Sequence, residues 1–451
     1  MKAAIISDLH LGFSWRTERK NDSIDLAVQA LQQALKEKVD LILIPGDLFD
    51  SSIPNLEVLS EFFKIFNLAL KAEKSQVKLF FENRELNFSG VPIIAIHGTH
   101  EFRGKDFENM LKVLGHAEFL FYSHGNKFKV VKGTETLFVH CLGGVPEKHA
   151  LQVLQKFNPK PVKEGNSKNV LLLHQSIKEF LPFEDEMVAS ISLENLPQGF
   201  DLIVNGHHHL PNVSTLPSGA KFCIPGSTII TQMKKNEAGK KKGFFVWETE
   251  SNELEFREIE NQRKLFYSKL EFSNADLKVV EDKIKQQLND FLKNNNSELK
   301  PLIRIKLTGF LASGLNSSDL KLDEIEKDFS EKALLSISKS FSVKSLKKKI
   351  QELRDLQKSS QSLNELGFDF LEKNLNETSF NNKIDFRRLF ELFENNENEK
   401  ALNYLKELEL KEKEEMKETE VKEIKVKEII EEQVKKGIEV KEKQSSLKSF
   451  S

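Results

Sequence analysis

The chain is marked by short apolar runs, each cut off by a polar residue or a glycine. Lys2-Ala3-Ala4-Ile5-Ile6-Ser7 reads as a buried strand that stops at Asp8-Leu9-His10-Leu11-Gly12. Ile24, Leu26, Ala27, Ala30, Leu31, Ala34 and Leu35 then recur at helical spacing. They predict a helix over residues 22 to 38, capped by Asn21 or Asp22. A second run, Val39 to Ile44, ends at Pro45-Gly46, so strand, helix and strand form a βαβ unit. Three more runs, Val91 to Ile96, Val170 to Leu173 and Asp201 to Val204, end at His97-Gly98, at His174 and at Asn205-Gly206. Residues 117 to 145 alternate like a hairpin, and residues 220 to 259 predict further strands, including Phe244 to Trp247. The pattern predicts a mixed α/β domain over residues 1 to 262.

Residues 265 to 342 predict a separate small α+β domain. Its elements are a strand from Phe266 to Phe272, a helix over 274 to 293, a strand from Leu302 to Leu307, another helix and a strand from Leu334 to Ser338. Residues 343 to 410 read as helical. There Phe386, Leu389, Phe390 and Phe393 share one face at i, i+3, i+4 and i+7, and Leu402, Leu405 and Leu408 continue the stripe. Residues 411 to 451 form a Lys/Glu-rich tail, expected to be solvated.

Composition narrows this picture. A chain of 451 residues is too long for one ordinary core. The net charge of −2 means that nucleic-acid binding would rest on local basic patches rather than bulk attraction. Two cysteines, Cys141 and Cys223, exclude a disulfide framework and point to a reducing compartment. No apolar run reaches membrane-spanning length, and Met1 to Ser7 lacks a leader layout. The expectation is a soluble cytoplasmic protein.

The chemistry lies where the strands end. Ligands of open α/β sheets collect there, and in this chain those ends carry Asp8 and His10, Asp47, His100, His174, and His207 with His209. A catalytic pair of metals needs carboxylates, imidazoles and a bridging carboxylate, for which Asp47 is placed. Side chains two apart on an extended segment point the same way, so Asp8 with His10 can face one ion, and His207 with His209 can both face the site. Any one of these histidines is more often structural than a ligand, but the ordered set points to a dimetal centre. His97, His116, His124, His140, His149 and His208 lack that support and read as structural or exposed.

Asp-x-His, Gly-Asp-x-x-Asp, Gly-Thr-His-Glu, His and Gly-His-x-His together resemble the signature of the calcineurin-like metallophosphoesterases. The segments Ile5 to Gly12, Pro45 to Asp50, Asn205 to His209 and Ile224 to Thr228 are most similar to the DNA double-strand-break repair nucleases of the meiotic recombination eleven, or SbcD, type. The motif resemblance spans roughly residues 1 to 260. It implies a four-layer α/β sandwich of two mixed sheets flanked by helices, followed by a small capping domain and a helical region. It also implies that Asp8, His10, Asp47 and His209 hold one ion, and that Asp47, position 99, His174 and His207 hold the other. Position 99 is usually Asn and here is Thr99, a shorter neutral donor. His100 would be the catalytic histidine, oriented by Asp50. The ions would be two Mn²⁺, with Mg²⁺ as the alternative.

By the same resemblance the protein is a 3′-to-5′ double-strand exonuclease and single-strand endonuclease. Phe13, Arg16 and Arg103, with Arg19, Lys20 and Lys105 nearby, would contact DNA. The stripe Phe386, Leu389, Phe390 and Phe393 would dock on an SMC-like coiled-coil ATPase of the radiation-fifty, or SbcC, type, and a homodimer would sit within a heterotetramer. Two other readings stand beside this one: a phosphatase or phosphodiesterase for small molecules, and a DNA-end-binding scaffold with a weak nuclease site.

Overall fold

The computed structural model describes residues 1–104, 107–181, 191–341, 388, 392 and 400–407. The chain forms two compact units, Met1–Phe341 and Ser342–Ser451.

Two sheets build most of the first unit. One has the spatial order Glu253–Glu258, Gly243–Glu248, Lys2–Ile5, Leu41–Pro45, Ile93–Ile96, Phe121–Tyr122. The strands from Lys2–Ile5 to Phe121–Tyr122 are parallel, while Gly243–Glu248 adds an antiparallel edge pair. The other sheet runs Asn212–Thr215, Lys221–Ile224, Leu202–Asn205, Ser167–Leu173, Glu135–Leu142, Asn126–Lys132, Lys78–Phe81, Arg84–Leu86. Its middle four strands, from Lys221–Ile224 to Glu135–Leu142, are parallel. The rest pair antiparallel, including the hairpin Asn126–Lys132 with Glu135–Leu142.

The near-continuous apolar runs follow from burial on both faces. Ala3 and Ile5 pack with Leu41, Leu43, Ile94 and Ile96 against Val139, Val170, Leu172 and Val204 of the facing sheet. The alternate residues Ala4, Ile6, Ile42, Ile44, Ile93 and Ala95 pack outward beneath the helices Asp22–Lys36, Leu56–Leu70 and Met110–His116. On the far side Leu171, Leu173, Ile203 and Phe222 pack against Ala150 and Leu154 of the helix Glu147–Phe157. Helix, sheet, sheet and helix make four layers, the sandwich that the resemblance implied.

Two details depart from the sequence reading. Asn21 occupies the N-cap of Asp22–Lys36 without a side-chain cap bond, because its backbone is helical. Asp22 does not cap either: its carboxylate is taken by Arg19 Nε (3.0 Å) and Arg263 Nε (2.9 Å). The helix Leu56–Leu70, absent from that reading, is capped by Asn55, whose side chain accepts from Val58 N at 2.8 Å.

The third sheet is wholly parallel: Leu265–Ala275, Leu302–Leu311, Leu334–Phe341. Val280, Ile284 and Leu288, four apart on the crossover helix Leu277–Lys293, are buried on a core with Ile303, Ile305 and Leu307. A smaller cluster of Ile230, Leu265 and Leu302 joins this sheet to the rest of the unit. In the second unit residues 400–407 are helical, with Ala401 buried and Leu402 and Leu405 exposed. Phe386, Leu389, Phe390, Phe393, Leu408 and the tail lie outside the described residues.

Candidate metal centre

Backbone bonding brings the strand ends together. Beyond Ile5 the chain keeps pairing with the loop after Leu41–Pro45. Asp8 N donates to Gly46 O (3.2 Å), His10 N to Asp47 O (3.0 Å) and Leu11 N to Leu48 O (2.9 Å). Asp8 and His10 are thereby held beside Asp47. All three are in the left-handed region, with φ of +49°, +46° and +48°, and His207 is at +74°. Such backbone costs roughly 1–3 kcal/mol per residue and persists only where the surroundings over-determine it. Asp8 and His10 therefore reach one site through tight turns, not through the strand alternation that their spacing suggested. Gly98 makes room for the carboxylate, since a Cβ there would stand 2.1 Å from Asp47 Oδ1.

Two donor sets result. Asp8, His10 and His209 offer atoms within 4.8 Å of one another, and so do Asp47, His174 and His207. Asp47 also groups with His10 and His100, which puts it between the two sets. Thr99 Oγ1 donates to Asp47 Oδ2 at 3.4 Å.

Hydrogen bonds fix which nitrogen each ring presents. His174 Nδ1 donates to Pro45 O at 2.7 Å, so a neutral ring turns a bare Nε2 toward Asp47 Oδ2, 3.1 Å away. His209 Nδ1 pairs with Thr231 Oγ1 at 2.8 Å, leaving Nε2 to face His10 Nε2 at 3.2 Å and Asp8 Oδ1 at 3.7 Å. Acceptors this close repel unless a proton or a cation stands between them. Among the described residues, buried His10 Nδ1 and His174 Nε2 find no aligned hydrogen-bond partner. Carboxylates, imidazoles and a hydroxyl in this arrangement fit a pair of divalent cations.

Without an ion in place, protons offset the clustered charges. Burial pushes Asp8 up to about 6. Burial opposes charge on His174 as well, yet the Asp47 carboxylate beside it raises the ring to about 10. His174 in turn holds Asp47 well below the usual carboxylate range, against the effect of its burial. Burial, reinforced by neighbouring imidazoles, lowers His207 to about 3 and His209 to about 2, so both present neutral rings.

His100 stands apart, its side chain 40% exposed, at a cleft of about 850 Å³ that is also lined by Asp47, His207, His209, Lys234 and Lys240. Its Nδ1 donates to the backbone oxygen of Asp50 at 2.8 Å, which leaves Nε2 as the other ring nitrogen. The Asp50 carboxylate, expected to orient His100, lies 3.8 Å from that Nδ1 but closer, 3.3 Å, to His10 Nδ1.

The DNA-contact candidates are less uniform. Arg16 is exposed. Phe13 packs partly on the core, with the Arg19 guanidinium 4.9 Å over its ring. Arg103 lies 5.2 Å over Phe107 and donates to Glu108 O at 3.3 Å. Arg19 is turned to the seam with the third sheet, bonding to Asp22 and to the Ile230 carbonyl. Lys105 lies outside the described residues.

Several supporting groups had gone unread. Glu101, fully buried, accepts from Asp47 N (3.2 Å), Phe49 N (2.7 Å) and Gly98 N (2.7 Å), tying two metal-site loops together. Burial, followed by the Asp47 charge, pushes Glu101 up to about 7, while its backbone donors favour the carboxylate. Buried Lys242 donates to His209 O (2.8 Å) and Ser227 Oγ (3.1 Å) and pairs with Glu237 at 2.9 Å. The Glu at the end of Gly-Thr-His-Glu was a visible signal for the first. Nothing in the sequence marked Lys242. His208 Nε2 accepts from Ile177 N at 3.0 Å, a role in holding the loop.

Residues 1–211 match the family model for calcineurin-like phosphoesterases. The chain is 28% identical over 241 residues to the DNA double-strand break repair protein Mre11 of Saccharolobus solfataricus, covering 53% of this chain and 57% of that one. It is 28% identical over 287 residues to the Methanopyrus kandleri protein of the same name, covering 59% and 58%. The chain thus spans little more than half the length of these curated relatives. A crystal structure of a dimetal phosphatase from Danio rerio aligns with 55% of this chain and 91% of its own at 14% identity, with a TM-score of 0.32, too low to bear on the fold. With its four layers and clustered donors already in place, the match makes residues 1–211 a calcineurin-like phosphoesterase domain.

Proposed function

We propose that the protein is a two-metal DNA phosphodiesterase that processes DNA ends in double-strand-break repair. The observation that carries this reading is the convergence of Asp8, His10, Asp47, His174, His207 and His209 on one site with His100 exposed beside it. Asp8, His10, Asp47 and His209 would hold one cation, and Asp47, Thr99, His174 and His207 the other. Mn²⁺ suits this mixed set. Two such ions, when bound, activate a water and clamp the attacking and leaving oxygens of a phosphodiester. The protein's part is to hold Asp47 between them through Glu101 and to present His100 Nε2. With its Nδ1–H committed to Asp50 O, a protonated His100 can donate from Nε2 to the leaving oxygen or to charge developing on phosphorus.

DNA rather than a small ester is favoured by the relatives' printed function and by Lys234, Lys240 and Lys241 along the cleft. The finer activities proposed are 3′-to-5′ exonuclease on duplex ends and endonuclease on single strands. The third sheet, residues 265–341, would be the capping element over DNA. An SMC-like ATPase would dock on Phe386, Leu389, Phe390 and Phe393. A homodimer is supported by an apolar surface: Leu56 (80% exposed) and Phe63 lie seven apart on one helix, and the Phe63 ring lies 4.8 Å from that of Phe119, tilted by 49°. The site of action would be the nucleoid.

The test is cleavage of a labelled duplex by the purified protein with Mn²⁺, beside His100→Ala. Cleavage that requires the ion and falls by at least about 100-fold in the variant is the expected result. DNA that is bound but uncut, even with the ATPase partner and ATP, would shift the reading to an end-binding scaffold. Turnover of nitrophenyl phosphates without DNA affinity would make it a small-molecule phosphatase.

A further inference from the structure

The second donor set has a weak member in Thr99, and one of its other members is supported from behind. Ser176 Oγ lies 2.6 Å from Glu147 Oε1 and 3.0 Å from His207 Nε2. A hydroxyl has one proton to give, and the shorter contact, to a carboxylate, takes it. Toward His207 the oxygen can then only accept, so His207 Nε2 carries the hydrogen and Nδ1 is bare. His207 therefore offers Nδ1 to the set with Asp47 and His174, whereas His209 offers Nε2 to the other. Ser176 is buried, Glu147 opens the helix Glu147–Phe157, and Glu147 Oε2 finds no partner among the described residues. The carboxylate is thus committed to Ser176.

We propose that Glu147 is a positioning residue for the second cation, acting through Ser176 on His207 and strengthening that donor where Thr99 is weak. The proposal rests on the two-cation reading above. A carboxylate behind a ligating imidazole, here relayed by a hydroxyl, fixes ring orientation and tautomer and raises the ligand's basicity; losing such support typically lowers metal affinity roughly 10- to 100-fold. The set around Asp8, His10 and His209 shares no part of the relay.

The test is calorimetric titration of the full chain with Mn²⁺, comparing the unaltered protein with Ser176→Ala, Glu147→Ala and Glu147→Gln. The expected result is two sites in the unaltered chain. One site should be weakened roughly 10- to 100-fold in Ser176→Ala and Glu147→Ala, less in Glu147→Gln, with the other unchanged. The double variant Glu147→Ala/Ser176→Ala should be no weaker than Ser176→Ala alone, since both cut one relay. Two sites of unaltered affinity in both single alanine variants would overturn the relay while leaving the dimetal reading intact. Fewer than two sites in the unaltered chain would overturn the dimetal reading, and the relay with it. A purely structural role for Glu147 would instead lower the thermal midpoint of the metal-free protein without changing either affinity.

Discussion

At the scale of single residues, the donors were legible and what their supports hold was not. Asp8, His10, Asp47, His174, His207 and His209 stand out because each follows an apolar strand. Glu101 acts on the backbone of residues about fifty positions earlier, and no spacing rule reveals that. It gives the sharpest residue-level prediction. Glu101→Gln puts an amide donor against backbone N–H groups whichever way it turns, at a cost of about 1–3 kcal/mol. Urea denaturation should show the loss, with weaker Mn²⁺ uptake; an unchanged midpoint would refute the role. His140 supplies a pH dependence. It is 2% exposed, edge-on to Phe200 and 3.3 Å from Asn169 Oδ1. Burial lowers it to about 4, with the Asn169 contact acting the other way. The unfolded chain takes up this proton near 6.5, the folded one only near 4. The stability it supports is therefore complete above pH 6.5 and lost as pH falls toward 4. Unfolding curves at pH 7 and 5 should separate less in His140→Gln than in the unaltered protein.

At the scale of elements, strands buried on both faces announce themselves as apolar runs, and all five that carry donors were readable. The helix Leu56–Leu70 was not, because Leu56 and Phe63 on its exposed side blur the stripe that marks an amphipathic helix. Positive φ at Asp8, His10 and Asp47 was equally invisible, since Asp and His carry no glycine-like signal for it. The strand Gly243–Glu248 is held to the metal site by the residue just before it, Lys242. Lys242→Met would leave Glu237 buried and unpaired, a loss of roughly 3–5 kcal/mol, and Lys242→Met with Glu237→Leu should recover most of it. Equal stability of the two variants by chemical denaturation would argue against a paired role.

At the scale of the whole molecule, Met1–Phe341 is one compact unit that contains every described metal-site donor. A fragment ending at Phe341 should fold and bind Mn²⁺ as the full chain does, by circular dichroism and calorimetry, and under the proposed docking would lose capture of an SMC-like ATPase. Failure of the fragment to fold would mean that the second unit completes the first. The joint between the phosphoesterase sheets and the third sheet has a mechanical consequence. Between Ile259 and Leu265 the chain is clamped twice. Gln262 Nε2 holds Lys242 O at 2.7 Å, and Arg263 reaches Asp22 at 2.9 Å and Lys300 O at 2.9 Å. Such a joint ties the third sheet to Lys242 and Asp22 by side-chain hydrogen bonds. A force applied to the third sheet would load Gln262 and through it Lys242, whose ammonium donates to the carbonyl of His209. Two hydrogen bonds thus separate the joint from the backbone of His209, the residue that carries a candidate metal-site imidazole.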